Sequence, residues 1–437
     1  MGVHEFELAG IRLDSTTASG YHEAVAEQVM QDGHRQDQRP DLTQLKLMVA
    51  VAEPHGQMSA RPVSSGEKAD DPWYVPLIHR VRGLVGSSGM LYTGDCKMAA
   101  FETRAEIVAH HDDSLTGLPL TGETRDHVDP WLGALVDGDQ DATRCWDDDR
   151  LLGGGDEFTR SLTGMVDEQP LAWSERVQIV RSVTLASSQR HALDERLHRA
   201  EAAFQKLPPE PGRGKRPYRA EGTLTEAVEE IVARYRVSGL LQVTWHKEEQ
   251  VKTTYVGRGR GGPHRPTRTE RTGRYVITQV PRDEAAMQAA KHRLGWRVQV
   301  TNLPPDRLTL PQGVMHYRAG YCVEGDFRML KGKPIGISPL YVRTDEQIQG
   351  LTHLLTIALR LLTLLQMNVR DELAKEDMAL VGLYEGQPTR TTTCPTAKRL
   401  LRAFGREEIT RASIRLEEQC SPHRSPLSEL LCTILRY

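Results

Sequence analysis

YRAGYCVEGDFRMLK, residues 317–331, is the stretch from which the rest of this chain is read. Its spacing predicts one helix. Tyr317, Glu324 and Lys331 recur every seven residues, two helical turns, so a phenol, a carboxylate and an ammonium fall on one face. Ala319, Val323, Phe327 and Leu330 form a separate apolar stripe that can dock the helix on a core. The result is one carboxylate on a rigid element with a cation two turns away, an arrangement suited to a divalent metal beside a phosphate. The same spacing is also the ordinary mark of a solvated helix face.

Upstream, the pattern is that of strands and helices in alternation. Residues 10–17 (GIRLDSTT) predict a strand with Asp14 at its exit, and residues 44–53 with 58–64 predict an antiparallel hairpin turned at Pro54-His55-Gly56. Asp71-Pro72 predicts a helix start, Asp as N-cap and Pro in the first turn. A short strand at 90–94 ends at Asp95, followed by a helix at 98–110 and a strand at 114–118. The order is three strands, helix, strand, helix, strand, with an acid at two strand ends. Either acid alone is most simply a turn former. Together with Glu324 they give three hard oxygen ligands on a rigid frame, the set that phosphoryl transfer with magnesium ions requires.

From residue 120 the character changes. Residues 126–157 hold ten acidic side chains against Arg144 and Arg150, and the stretch reads as the loop-rich start of an insertion. An amphipathic helix runs from Leu193 to Leu207, and Arg213, Lys215, Arg216 and Arg219 form a basic connector. Thr223 and Glu226 read as a capping box before a further helix. Residues 240–245, 275–280 and 296–301 are strand candidates, and Asp283 starts a short helix that Gly295 closes. Between the first two strands, residues 258–274 hold six arginines, Arg258 and Arg260 among them, against Glu270 alone. That loop suits a phosphate backbone or simply solvent. Its Gly257, Gly259 and Gly262 match GxGxxG, but Pro263 follows where a helix would have to begin, which excludes a dinucleotide site. After residue 331 come an extended stretch at 336–342, a long helix at 347–372 expected to be buried, a short helix at 396–404 and an apolar end.

Over the whole chain, 56 Lys and Arg stand against 59 Asp and Glu in 437 residues, a net charge of −3, so charge as a whole does not argue for nucleic acid. The acidic and basic stretches are instead segregated along it. Six cysteines (Cys96, Cys145, Cys322, Cys394, Cys420, Cys432) form no CxxC pair, which suits reduced thiols in a cytosol and no zinc site. His110-His111-Asp112-Asp113 lacks a third ligand at helical spacing and reads as a solvated helix end. The most apolar run, 351–365, is broken by His353 and Arg360 and is short for a bilayer, so a cytoplasmic location off the membrane is expected.

The order of elements is that of an RNase H-like core, and the residues resemble the DDE transposases of bacterial insertion sequences. The resemblance rests on LDSTTASGYHE (13–23), GHRQDQRPDLTQLKLMVA (33–50), SGEKADDPWYVP (65–76), LYTGDCKMAAFETRAEI (91–107), GWRVQVTN (295–302), residues 317–342 and GLTHLLTIALRLLTLL (350–365). It implies a mixed α/β fold with an RNase H-like catalytic core split by a large α+β insertion and a helical C-terminal region. The parts would be 1–119 and 311–375 for the core, 120–310 for the insertion and 376–437 for the tail. It also implies that Asp14, Asp95 and Glu324 hold two magnesium ions, with manganese an alternative, and that Tyr317, Arg328 and Lys331 contact DNA, with Arg258 and Arg260 added from the insertion. Where that family's helix carries an Arg, this chain has Gly320, beside Arg318. Relatives carry a segment before the first Asp, and 13 residues precede Asp14 here, so a truncated copy is expected. The function implied is transposition: cleavage at element ends and joining to target DNA, by a homodimer on double-stranded DNA, without a membrane. The alternatives are an inactive DNA-binding remnant and a metal-dependent nuclease of the same fold.

Overall fold

The computed structural model describes residues 10–33, 42–53, 55–60, 63–137, 142–207, 217–257, 262, 264, 266–333 and 335–404. Arg258, Arg260, Gly259, the connector residues Arg213, Lys215 and Arg216, and the tail from 405 lie outside the described residues. The fold is mixed α/β. Two compact units divide the chain: Met1–Pro119, Glu157–Gln178 and Val298–Tyr437 form one, Leu120–Asp156 and Ile179–Arg297 the other.

In the first unit, β1 (Gly10–Gly20) pairs antiparallel with β2 (Thr43–Glu53) along its whole length. The returning segment is two short strands, β3 (Gln57–Ala60) and β4 (Val63–Ser65), both paired with β2. Then come α1 (Tyr74–Val85), β5 (Leu91–Gly94), α2 (Phe101–Ala109) and β6 (Asp113–Leu118). β5 lies parallel between β1 and β6. β2 is buried on both faces, which is why it reads as a continuous apolar run. Its Met48 and Ala50 join Ile11, Leu13 and the α1 residues Tyr74, Leu77, Ile78 and Val81 in one core, while Leu45, Leu47, Val49 and Val51 face the other side.

The acidic stretch after residue 120 is helical, contrary to the expected loop: α3 (Gly122–Asp137) includes Pro130. β7 (Thr143–Asp147) follows, and then the long hairpin of β8 (Arg150–Val166) and β9 (Gln169–Ser182). That hairpin has no glycine at its turn to announce it; Asp167 and Glu168 themselves adopt φ of 47° and 63°. Gly153 and Gly155 allow close backbone approach, since a Cβ there would stand 2.2 Å from Arg181 O and 2.0 Å from Ile179 O.

In the second unit, α4 (Val183–Lys206) and α5 (Glu221–Tyr235) pack Leu193, Leu197, Phe204, Leu224, Val228 and Ile231 together. Thr223 does not cap α5, because the helix begins earlier, at Glu221, and its hydroxyl donates to Ala220 O at 2.8 Å. β10 (Thr244–Tyr255) and β11 (Thr267–Gln279) form a hairpin much longer than the strands expected, so Arg268, Arg271 and Arg274 lie on β11 rather than in a loop. β-branched Thr267, Thr269 and Thr272 favour that extension. α6 (Glu284–His292) is capped by Asp283, whose Oδ1 accepts from Ala286 N at 2.9 Å.

β12 (Trp296–Thr301) returns to the first unit, where the sheet order is β3-β2-β1-β5-β6-β12-β9-β8, with β12 antiparallel to β6. α7 (Leu310–Arg318), α8 (Tyr321–Lys331) and α9 (Asp345–Lys375) follow, then β13 (Leu380–Val381), β14 (Thr391–Thr392) and α10 (Ala397–Phe404). Val323 and Leu330 of α8 and Ile348 and Leu359 of α9 cover the second face of β2. α9 is long and apolar enough, by length and composition, to cross a membrane. It is not buried throughout, as its apolar composition led us to expect. Thr352, Thr356 and Thr363 share its buried side with Ile348, Leu359 and Met367, while Leu354 and Leu361 are 61% and 63% exposed. Threonine can occupy that side because each hydroxyl is satisfied by a carbonyl of the preceding turn, as Thr356 is by Thr352 O at 2.7 Å.

Candidate active site

Asp14 is not at the end of a strand. It sits in the middle of β1, which continues beside β2 to Gly20. It is instead the residue at which parallel pairing to β5 stops. Leu13 pairs with Gly94, so the next residues, Asp14 and Asp95, stand abreast where β5 ends. The C-terminal edge of parallel strands is where sheets of this kind place ligands, because side chains there escape the core while the backbone stays fixed. Asp95 is exposed and Asp14 half-buried.

The helix carrying Glu324 is shorter than its spacing implied. The chain breaks at Ala319 and Gly320 into α7 and α8, so Tyr317 and Glu324 do not share one continuous face. The last turn of α7 tightens, with Ala319 N donating to both Met315 O and His316 O, and Gly320 offers no side chain to carry helical packing across the junction. Tyr317 is turned to the sheet, packed with Leu115, Leu303 and Leu308. Gly117 makes that possible: a Cβ there would lie 2.6 Å from the Tyr317 hydroxyl. Glu324 is exposed in the first turn of α8, and Lys331 closes the same helix. Arg328 lines a cavity bounded by α8 and α9.

Asp14 registers both other acids. Its carboxyl is raised from 3.8 to about 6, mainly by burial, with further rises from the charges of Asp95 and Glu324. The Ser15 backbone N–H, 2.7 Å from Oδ1, and the Arg12 charge oppose that rise. Asp95 Oδ1 accepts from the Tyr74 hydroxyl at 3.0 Å and from Lys97 N at 3.0 Å. Burial, and then Asp95, push the Tyr74 phenol far above its usual range, so it acts only as a donor. A donor set of three carboxylates is the chemistry magnesium prefers, and a cation would relieve the cost that Asp14 carries. Among the described residues, however, no three His, Cys, Asp or Glu side chains are grouped closely enough as they stand to hold an ion.

Two supporting groups escaped the sequence reading. The first is centred on Arg12, which is 5% exposed and donates from Nε to Glu53 Oε1 at 2.7 Å, Glu53 being 4% exposed. Its Nη2 and Nη1 donate to His316 O at 2.6 Å and Tyr317 O at 3.4 Å, so one guanidinium ties β1 and β2 to the end of α7. His316, whose pKa burial lowers below the usual imidazole value, lies 3.2 Å from Glu53 and 2.9 Å from the Thr93 hydroxyl. The second is Asp70, which does not cap a helix but accepts from Ser15 Oγ at 3.0 Å and pairs with Lys46 at 2.8 Å and with Lys97. Burial pushes Asp70 up, and the two lysines outweigh it and hold it below the usual carboxylate value. An Arg between Ile11 and Leu13 reads in sequence as a solvent-facing strand position, so only the docking of α7 over it reveals its use.

No family model matches this chain, and no curated protein does. Among solved structures it is similar in part to a piggyBac transposase in a synaptic complex with hairpin DNA, at 8% identity and a TM-score of 0.23, over 40% of this chain and 30% of that one. The chain thus spans less than a third of that protein's length.

Proposed function

We propose that the chain is a DNA transposase of the DDE type, with 1–119 and 311–375 as its RNase H-like catalytic parts and 120–310 as an insertion. The observation that carries this reading is the placement of Asp14 and Asp95 abreast on parallel strands, with Glu324 close enough to raise Asp14. Magnesium held by Asp14, Asp95 and Glu324 would supply activation of the attacking oxygen and charge neutralisation at the leaving oxygen. The chain's own residues fix the ligands. Tyr74 and Lys97 N orient Asp95, Ser15 N orients Asp14, and Arg12 sets the helix junction from which Glu324 projects. In the first step a water oxygen displaces a 3′ oxygen at the element's end, leaving a 3′-hydroxyl and a 5′-phosphate. In the second, that 3′-hydroxyl attacks target DNA and breaks one phosphodiester bond for each one formed.

The test is incubation of the chain with DNA carrying the sequences that flank its gene. Magnesium-dependent release of 3′-hydroxyl ends that then join to a second DNA is the expected result. Cleavage without joining would identify a nuclease. Binding without cleavage would identify an inactive DNA-binding remnant, the reading favoured by the looseness of the three acids as they stand.

The β10–β11 hairpin is the element we assign to DNA backbone contact. Arg268 and Arg271 are exposed on β11, Arg268 beside Glu270 at 3.5 Å, whereas Arg274 is half-buried and paired with Glu248 at 2.8 Å. Excising 258–274 would remove residues 267–274 of β11, so substitution is the cleaner experiment. Arg268→Ala with Arg271→Ala should weaken binding to all duplexes alike and lower the salt slope by roughly 0.9 per lost phosphate contact. The Lys331→Ala variant should lose one such contact at cleaved ends. A salt slope equal to that of the parent chain would remove these residues from the interface.

A further inference from the structure

α9 carries an apolar line along Leu354, Ile357, Leu361 and Leu365, spaced by three and four residues so that all four fall on one side. Its two ends differ. At the C-terminal end Leu365 packs in a cluster of Val369, Leu373 and the α10 residue Leu400. Ala397 N donates to Gln366 Oε1 at 3.1 Å and Arg370 Nε to Pro395 O at 3.1 Å, which fixes the start of α10 on that end. At the other end Leu354, Ile357 and Leu361 are 61%, 39% and 63% exposed, open to solvent among the described residues. An apolar line that one helix covers at one end and leaves bare at the other is an unfinished interface.

The chain itself carries the complement. Beyond α10, residues 427–435 read LSELLCTIL, and Leu427, Leu430, Leu431, Ile434 and Leu435 recur at the three- and four-residue spacing of one helix face. Ser425-Pro426 before them is a helix start, Ser as N-cap and Pro at the first helical position. Glu429, the single charge in the run, falls on the side away from that face. These residues lie outside the described ones, and their placement is what is inferred. Reach does not limit it. Leu373, beside α10, is roughly 30 Å along the helix from Leu354 at 1.5 Å per residue, and the 22 residues 405–426 span up to roughly 70 Å. A second copy carries the same segment, but a segment tethered to its own chain acts at an effective concentration of about 1 mM, above that of a free partner. We propose that residues 427–435 form a helix that docks on Leu354, Ile357 and Leu361 of the same chain and extends the cover that α10 begins.

This proposal does not depend on the reading of Asp14, Asp95 and Glu324. Maleimide labelling of the full chain carrying Leu354→Cys tests it, read by peptide mass spectrometry at position 354 so that the native cysteines do not interfere. Leu354 is exposed, so the substitution leaves the core intact. Labelling there should be at least about tenfold slower than in the same chain with Leu430→Glu and Ile434→Glu added, because two charges on the stripe undock it. Leu430→Met with Ile434→Leu should stay slow, since the stripe remains apolar. The protection should not change with protein concentration. Equally fast labelling in all three chains would overturn the proposal. So would protection that survives the two glutamates, that rises with protein concentration as a second copy would make it, or that appears only with phosphatidylcholine vesicles, as a lipid surface would.

Discussion

Replacing Asp14 by Asn should cut metal-dependent cleavage by about 10³-fold and at the same time make the folded chain more stable at neutral pH. The two effects have one origin. Asp14 is raised from 3.8 to about 6 by burial first and by Asp95 and Glu324 next, so at pH 7 the fold holds an ionised group that it would rather keep neutral. Between about pH 4 and 6 the folded chain binds more protons at this site than the unfolded chain. Stability from this group therefore falls as pH rises through that window and stays low above it. A rise of that size corresponds to at most about 3 kcal/mol. Asn keeps the shape and removes the charge, so chemical denaturation at pH 7 should show a gain of up to that amount, and no gain at pH 4. Cleavage should fall by about 10³-fold, the usual order for loss of one group that stabilises developing charge. The parent chain should lose cleavage as pH drops below about 6, since protonated Asp14 cannot hold a cation. A variant that is less stable than the parent at pH 7 would show that Asp14 is satisfied in the fold and not poised for a metal.

Arg12→Ala should be the most damaging single change to the core. It removes the partner of Glu53 where both are nearly inaccessible, and breaking a buried pair from one side costs about 3–5 kcal/mol. It also removes one donor from each of two carbonyls at the end of α7. Arg12→Lys should recover only part of the loss, because an ammonium cannot reach a carboxylate and two carbonyls with one planar fork. A double variant, Arg12→Met with Glu53→Leu, should be more stable than Arg12→Ala alone, since no charge is left buried. Its cleavage should remain low, because the α7–α8 junction is no longer tied to β1. Equal stability of Arg12→Ala and the parent chain would show that Glu53 is solvated.

The sheet of the first unit was legible because its signals are local. Short apolar runs bounded by turn residues mark β1, β2, β5 and β6, and an acid following a short apolar strand marks Asp95. What was not legible depends on contacts distant in sequence. Arg12 meets His316 and Tyr317 more than 300 positions away, so nothing near Arg12 announces its burial. The helix break at Ala319 and Gly320 was hidden because a seven-residue spacing holds on both sides of it. The β8–β9 hairpin was missed because Asp167 and Glu168 turn it without glycine.

Whether Asp14, Asp95 and Glu324 share metal ions is tested by a crystal structure grown with manganese and duplex DNA, through the anomalous signal of the ion. Manganese ligated by carboxylate oxygens of all three residues beside a DNA phosphate is the expected result. Manganese bound by Asp14 and Asp95 with Glu324 turned to solvent, or an empty site at saturating manganese, would contradict it.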